Sequence, residues 1–118
     1  MNRIQLAEAM ELDPAGDMFI TDLELNRWGR ELVFVCEYVS PSALSVPFRL
    51  RFTDCRDLRW KTYAHAAFDE LPPSAELIEF APGSGNHRRD ASLLTVHFAA
   101  TLSYGTLIVE FGGREIAF

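Results

Sequence analysis

Phe48-Arg49-Leu50-Arg51-Phe52 alternates apolar and cationic residues without a break. Successive side chains of a β-strand point to opposite faces. This stretch therefore sets Phe48, Leu50 and Phe52 on one face and Arg49 and Arg51 on the other. A slip of one residue would bury both guanidiniums, so the register is strongly fixed. The pattern calls for a strand buried on one side and wet on the other.

Working upstream, residues 31–39 keep the period of two. Leu32, Phe34, Cys36 and Tyr38 face one way; Val33, Val35, Glu37 and Val39 face the other. Both faces are largely apolar, which predicts a central strand covered on each side. Residues 40–47 carry two prolines and three serines and read as a returning loop. Further back, Phe19, Thr21, Leu23 and Leu25 share one face, with Asp22 and Glu24 on the opposite one. Asn26-Arg27-Trp28-Gly29-Arg30 joins these two strands as a hairpin connection in which Gly29 supplies the unusual dihedral. Residues 2–11 offer a helical stripe of Ile4, Leu6, Ala7 and Met10 that Pro14 and Gly16 would end; an extended arm fits the same residues.

Working downstream, Leu58 and Trp60 face in while Arg59 and Lys61 face out. Continuous parity would place Asp54 and Arg56 in the core, so a bulge or tight turn is expected near Asp54. Residues 62–74 are ambiguous: Ala64, Ala66 and Ala67 favour helix, and Pro72-Pro73 stops it. Ile78 and Phe80 alternate with Glu79 in the next strand. Residues 82–90 read as a long, mobile hairpin loop. In the strand after it, Leu94, Val96 and Phe98 face in, with Thr95 and His97 outside. Ser103-Tyr104-Gly105 turns the chain. Leu107, Val109 and Phe111 then face in, with Glu110 out. Gly112-Gly113 makes a last turn, and Ile116 and Phe118 close the chain as a short edge strand.

Local connections imply antiparallel neighbours, because a parallel crossover needs a dozen or more residues. The expected fold is mainly β, of the α+β type. It is an antiparallel meander of six to eight strands forming a curved sheet, half-barrel or sandwich, with one or two short helices. The length of 118 residues suits a single domain over 1–118. Apolar residues at 48% and charged residues at 24% are globular values that exclude a disordered or collagenous chain. No apolar run is long enough to cross a membrane as a helix. The first residues lack the apolar stretch of a signal peptide, so a soluble cytoplasmic protein is the expectation.

The net charge is −6, from 17 acidic and 11 basic residues. An acidic whole disfavours nucleic-acid binding. Residues 49–61 run against this trend, with five bases and two acids. Arg49, Arg51, Arg59 and Lys61 share an outward parity that Tyr63 and His65 continue. Were the two stretches side by side, they would make a basic, partly aromatic stripe able to receive an acidic partner. The competing reading, which is favoured, is cross-strand neutralisation by Asp22, Glu24, Glu79 or Glu110, since these acids also face outward.

Other chemistry is sparse. No phosphate loop, dinucleotide fingerprint, zinc ribbon or nucleophile elbow is present. Cys36 and Cys55 are too few for a disulfide scaffold, and Cys36 reads as a buried hydrophobe. Cys55 is the one nucleophile candidate, because Arg56 and Arg59 could lower its pKa, yet nothing nearby builds the rest of a site. His65, His87 and His97 lack ligand spacing, so no metal and no cofactor is expected. Gly83-Ser84-Gly85-Asn86-His87-Arg88-Arg89 could hold an anion, although a plain hairpin loop is the stronger reading. Asp54/Asp57 and Asp69/Glu70 read as turn residues.

Ile20-Thr21-Asp22-Leu23-Glu24-Leu25, then Gly29, a strand and the segment Pro47–Trp60 resemble a pattern in small bacterial β-rich proteins. Some of these are grouped with the immunity proteins of polymorphic toxin systems. The likeness covers residues 19–60. It lacks the early His-Asp pair of such sequences, with only Asp22 present. It implies a non-enzymatic protein that binds another protein, and it transfers no functional residues. The function expected is a non-enzymatic binding module whose partner is a protein or a second copy of the chain, with no membrane contact. The alternative is a small-ligand carrier or sensor whose half-barrel encloses a pocket lined by Tyr38, Trp60 and Phe98.

Overall fold

The computed structural model describes residues 1–63 and 73–118. It opens with helix α1 (Arg3–Ala9), whose N-terminus is capped by Asn2: its Oδ1 accepts the Gln5 N–H at 2.9 Å. Leu6, Ala7 and Met10 enter the core, but Ile4 stays exposed, so the stripe is narrower than the sequence suggested.

Nine strands follow: β1 (Asp17–Asn26), β2 (Glu31–Val39), β3 (Ser45–Thr53), β4 (Arg56–Thr62), β5 (Ala75–Ala81), β6 (Arg89–Thr95), β7 (Phe98–Tyr104), β8 (Thr106–Phe111) and β9 (Arg114–Ala117). They form one open antiparallel sheet in the order β4-β7-β6-β5-β1-β2-β3-β8-β9. The second helix considered over 62–74 falls mostly outside the described residues.

The alternation of β3 holds. Phe48, Leu50 and Phe52 are buried, and Arg49 and Arg51 lie on the opposite face. β2 is central, between β1 and β3, and its Leu32, Phe34, Cys36 and Tyr38 all join the core. Leu107, Val109 and Phe111 of β8 do the same.

The sheet bends sharply between β3 and β4. Asp54 takes a left-handed φ of 53°, in the turn expected there, and Gly105 sits opposite, its N–H donating to the Thr53 carbonyl at 2.9 Å. β3 pairs with β8 up to Thr53↔Thr106, and beyond the bend β4 pairs with β7 from Arg56↔Ser103. The two-strand ribbon thus carries the sheet over on itself. Ser103-Tyr104-Gly105 is a crossing between halves rather than a hairpin, because β7 and β8 pair with different strands. Buried residues from both halves form one cluster. At its centre Phe52 meets Phe34 and Tyr104 edge-on, at 6.0 and 4.9 Å between ring centroids.

Three corrections come from irregular pairing. A bulge between Ile20 and Asp22 breaks the parity of β1. Met18 and Ile20 are buried instead of Phe19 and Thr21, and Leu25 is exposed. A second bulge between Leu77 and Glu79 leaves Ile78 exposed, with Leu77 and Phe80 inside. The strand read through residues 92–99 is two strands, β6 and β7, joined at Val96-His97. Its inward residues are Ala91, Leu93 and Thr95 rather than Leu94 and Val96. The buried Thr95 hydroxyl makes this turn: it donates to the Phe98 carbonyl at 3.0 Å and accepts the His97 and Phe98 N–H groups at 3.1 and 2.9 Å. That extra hairpin raises the count from eight strands to nine.

Two substitutions test this packing. Phe52→Ala should cost about 3–5 kcal/mol in urea denaturation, through the cavity it leaves between two rings. Thr95→Val, nearly isosteric, should cost about 1–3 kcal/mol by leaving turn groups unsatisfied.

Candidate functional site

The six residues singled out from the sequence do not form one stripe. β3 and β4 follow each other in the chain but are not neighbours in the sheet, where β4 is the outer edge strand beyond β7. Arg49 and Arg51 therefore belong to one surface, and Arg59, Lys61 and Tyr63 to another. His65 lies outside the described residues.

On the outer face of β3 both charges are matched. Arg51 Nε donates to Glu110 Oε1 at 2.7 Å, and its Nη2 lies 3.7 Å from Glu115. The hydrogen bond to Glu110 raises the Arg51 pKa. Arg49 Nη2 reaches Glu24 Oε2 at 2.6 Å. Glu24 and Glu110 thus perform the neutralisation expected of the four acids. Asp22 instead accepts its own neighbour's N–H, from Leu23 at 2.8 Å, and Glu79 lies on β5 in the other half. Partly exposed pairs of this kind contribute roughly 0–1 kcal/mol each. Their larger effect is to remove Arg49 and Arg51 as free anion receptors.

The β4 edge is different. Arg59 and Lys61 stand opposite Thr101 and Ala99 of β7, and both are exposed. Among the described residues neither has a carboxylate within salt-bridge distance. The Lys61 ammonium lies 5.5 Å from the centroid of the Tyr63 ring. Between the two cations, Trp60 stacks on Phe98 at 4.0 Å with planes 13° apart, and its indole N–H donates to Thr62 Oγ1 at 3.0 Å. Trp60 remains 42% exposed, so one ring face is free for contact. The Tyr63 N–H donates to the His97 carbonyl at 2.9 Å and ties the end of the strand to the Thr95–Phe98 turn.

Beside Trp60 opens a cleft of about 220 Å³, lined by Ile20, Leu23, Trp60, Ala75, His97 and Phe98. The sequence reading placed His97 on an outer strand face. It sits instead in the β6–β7 turn at this cleft, and both its ring nitrogens are enclosed with no hydrogen-bond partner among the described residues. No sequence signal marked the cleft, since Ile20 and Ala75 reach it only through the β1–β5 pairing.

The remaining candidates are engaged elsewhere. Both cysteines are free thiols in the core. Burial raises the Cys36 pKa. Burial is also the largest influence on Cys55 and raises its pKa, against the lowering expected from nearby arginines. The Cys55 thiol donates to the Phe52 carbonyl at 3.2 Å. The Gly83–Arg89 segment does not present its two arginines to an anion. Arg88 donates to the Asp54 carboxylate and carbonyl at 2.7 and 2.8 Å and to Ser103 Oγ at 3.0 Å. Arg89 donates to the Phe118 carbonyl and lies 4.8 Å from the centre of the Tyr104 ring. Among the described residues no group of three or more His, Cys, Asp or Glu side chains could hold a metal ion, and no helix is long and apolar enough to cross a membrane.

Comparison with protein-family models and with curated proteins gives no match. The surface itself carries the functional argument.

Asp54 provides a pH test of the framework behind this surface. The hydrogen bond from Arg30, followed by the charge of Arg88, holds its carboxyl below the usual range. A depressed folded pKa stabilises the protein above the unfolded value of about 3.9, and the stabilisation is lost as pH falls through the folded pKa. Asp54→Asn should therefore lower the denaturation midpoint near neutrality and match the wild type in strong acid. A gap that persists undiminished in acid would remove the ion-pair account.

Proposed function

We propose that this protein is a non-enzymatic binding module that captures an extended, acidic segment of another protein along the outer edge of β4. The observation that carries the reading is a pair of cations, Arg59 and Lys61, that have no carboxylate partner among the described residues and lie on a strand that, among those residues, is paired on one side only. An added strand would gain main-chain hydrogen bonds from the edge and specificity from alternate side chains. Acids at every second position would meet Arg59 and Lys61. The free face of Trp60 offers an apolar contact, and aromatic residues are common interface anchors.

The same features limit indiscriminate pairing. Charged residues and bulges blunt exposed edges. β4 has both, with a register shift between Arg56 and Arg59 and a left-handed Asp57. A segment without acids at the right spacing would bring these cations no counter-charge. The likeness of residues 19–60 to immunity-type proteins makes a toxin domain the partner class we favour.

The small-ligand reading has less support. Tyr38 is in the core, its hydroxyl donating to the Asp13 carbonyl at 2.5 Å, away from the Trp60–Phe98 stack. The apolar cleft beside that stack, at about 220 Å³, is open and smaller than the roughly 300–1,000 Å³ usual for ligand pockets.

The test is titration with a fluorescent peptide that alternates Glu and Val. Arg59→Glu combined with Lys61→Glu should weaken binding at least about tenfold, equivalent to ~1.4 kcal/mol. Arg49→Gln with Arg51→Gln should leave it within error. Added salt should weaken the wild-type complex. Equal affinity for both double variants would overturn the proposal.

A further inference from the structure

Among the described residues, a second edge without a paired strand lies in the middle of the sheet. β5 pairs with β1 only at Phe19↔Glu76 and Ile20↔Ala75. From Asp22 to Asn26, β1 is paired with β2 on one side and, among the described residues, with no strand on the other. Backbone N–H and C=O groups along such an edge can accept another strand.

The side chains there are unusual for a solvent-facing hairpin. Leu25 is 55% exposed and Trp28 is fully exposed. Arg27 and Trp28 hold left-handed φ values of 52° and 59°. L-residues rarely adopt that conformation. The hairpin base is anchored nevertheless, because Arg30 binds Asp54, which also holds Arg88. The tip thus presents a large, fully exposed aromatic ring.

Charge complementarity points to the occupant. Arg27, at the tip, has no carboxylate partner among the described residues. Asp22, at the far end of this edge, has no salt-bridge partner among the described residues and borders the apolar cleft. Two copies related by a twofold axis would run these edges antiparallel. Like charges directly opposite are unfavourable, and this disfavours centring the pair on Glu24. Centring on Leu25 sets Leu25 against Leu25 of the second copy and Glu24 against its Asn26. It also brings Trp28 and Arg27 towards Asp22 and Leu23 at the cleft of the second copy.

We infer that the protein forms a symmetric dimer through antiparallel pairing of Glu24–Asn26 on the β1 edge, locked by Trp28 and by an Arg27–Asp22 ion pair between copies. The contact is independent of the β4 edge, and its variants separate the two.

Sedimentation velocity over a concentration series tests it. The wild type should pass from monomer to dimer as concentration rises. Trp28→Ser and Leu25→Glu, both at exposed positions, should shift the midpoint at least tenfold towards monomer. Arg27→Glu should do the same, and Arg27→Glu with Asp22→Arg should restore the wild-type midpoint. Leu25→Cys should cross-link to a covalent dimer on mild oxidation. Arg59→Glu with Lys61→Glu should leave dimerisation unchanged. A wild type that stays monomeric throughout, or a dimer that survives both Leu25→Glu and Trp28→Ser, would overturn the inference.

Discussion

The bend at Asp54 is the constraint on which the rest of this structure depends. A flat nine-stranded sheet would leave the apolar faces of both halves in water. Folding the ribbon β3/β8 into β4/β7 brings those faces together around Phe34, Phe52 and Tyr104. The polar contacts at the bend are mostly exposed, so each adds little energy. What they fix is direction. The Asp54 carboxylate receives Arg30 and Arg88, and its carbonyl receives Arg88 again, so three chain segments meet at one residue. Gly105 fits closely opposite: a Cβ there would lie 3.2 Å from the Asp54 Cβ, a tight contact. Apolar burial supplies the driving force, and this corner decides which surfaces are buried against each other.

The strands most legible in the sequence are the uninterrupted ones. In β2, β3 and β8 the period of two runs without insertion, and every residue assigned inward there is buried. Errors begin at irregularities. One bulged residue reverses all subsequent parity, which is why Thr21 misplaced Phe19 and why Ile78 was read as core. The Val96-His97 turn contains neither Gly nor Pro. Its geometry comes from the Thr95 hydroxyl, a signal that composition does not distinguish from an ordinary strand threonine.

The candidate site shows a different limit. Parity assigns a residue to a face but says nothing of which strand lies beside it. Arg49, Arg51, Arg59 and Lys61 all point outward as read, and an interruption at Asp54 was legible. Its consequence was not, since a bulge keeps two stretches in one strand while a bend sends them to different neighbours. Glu24 and Glu110 were two of four acids with suitable parity. Only the strand order β1-β2-β3-β8 shows that they flank the arginines from either side: Glu110 sits directly opposite Arg49, and Glu24 reaches across Val33.

The open edges follow from the same bend. A sheet that folds over its own core must spread somewhere, because strands of the two halves cannot stay parallel in direction and remain paired along their full length. Here the spreading falls between β1 and β5, where pairing stops after two residues. Among the described residues, the backbone groups at Asp22–Asn26 that face away from β2 have no paired strand. The bulge after Ile20 falls where the β1–β5 pairing ends, and the hairpin beyond it carries the fully exposed Trp28. The proposed contact surface would thus be a geometric consequence of enclosing the aromatic centre, and it would need no sequence motif of its own.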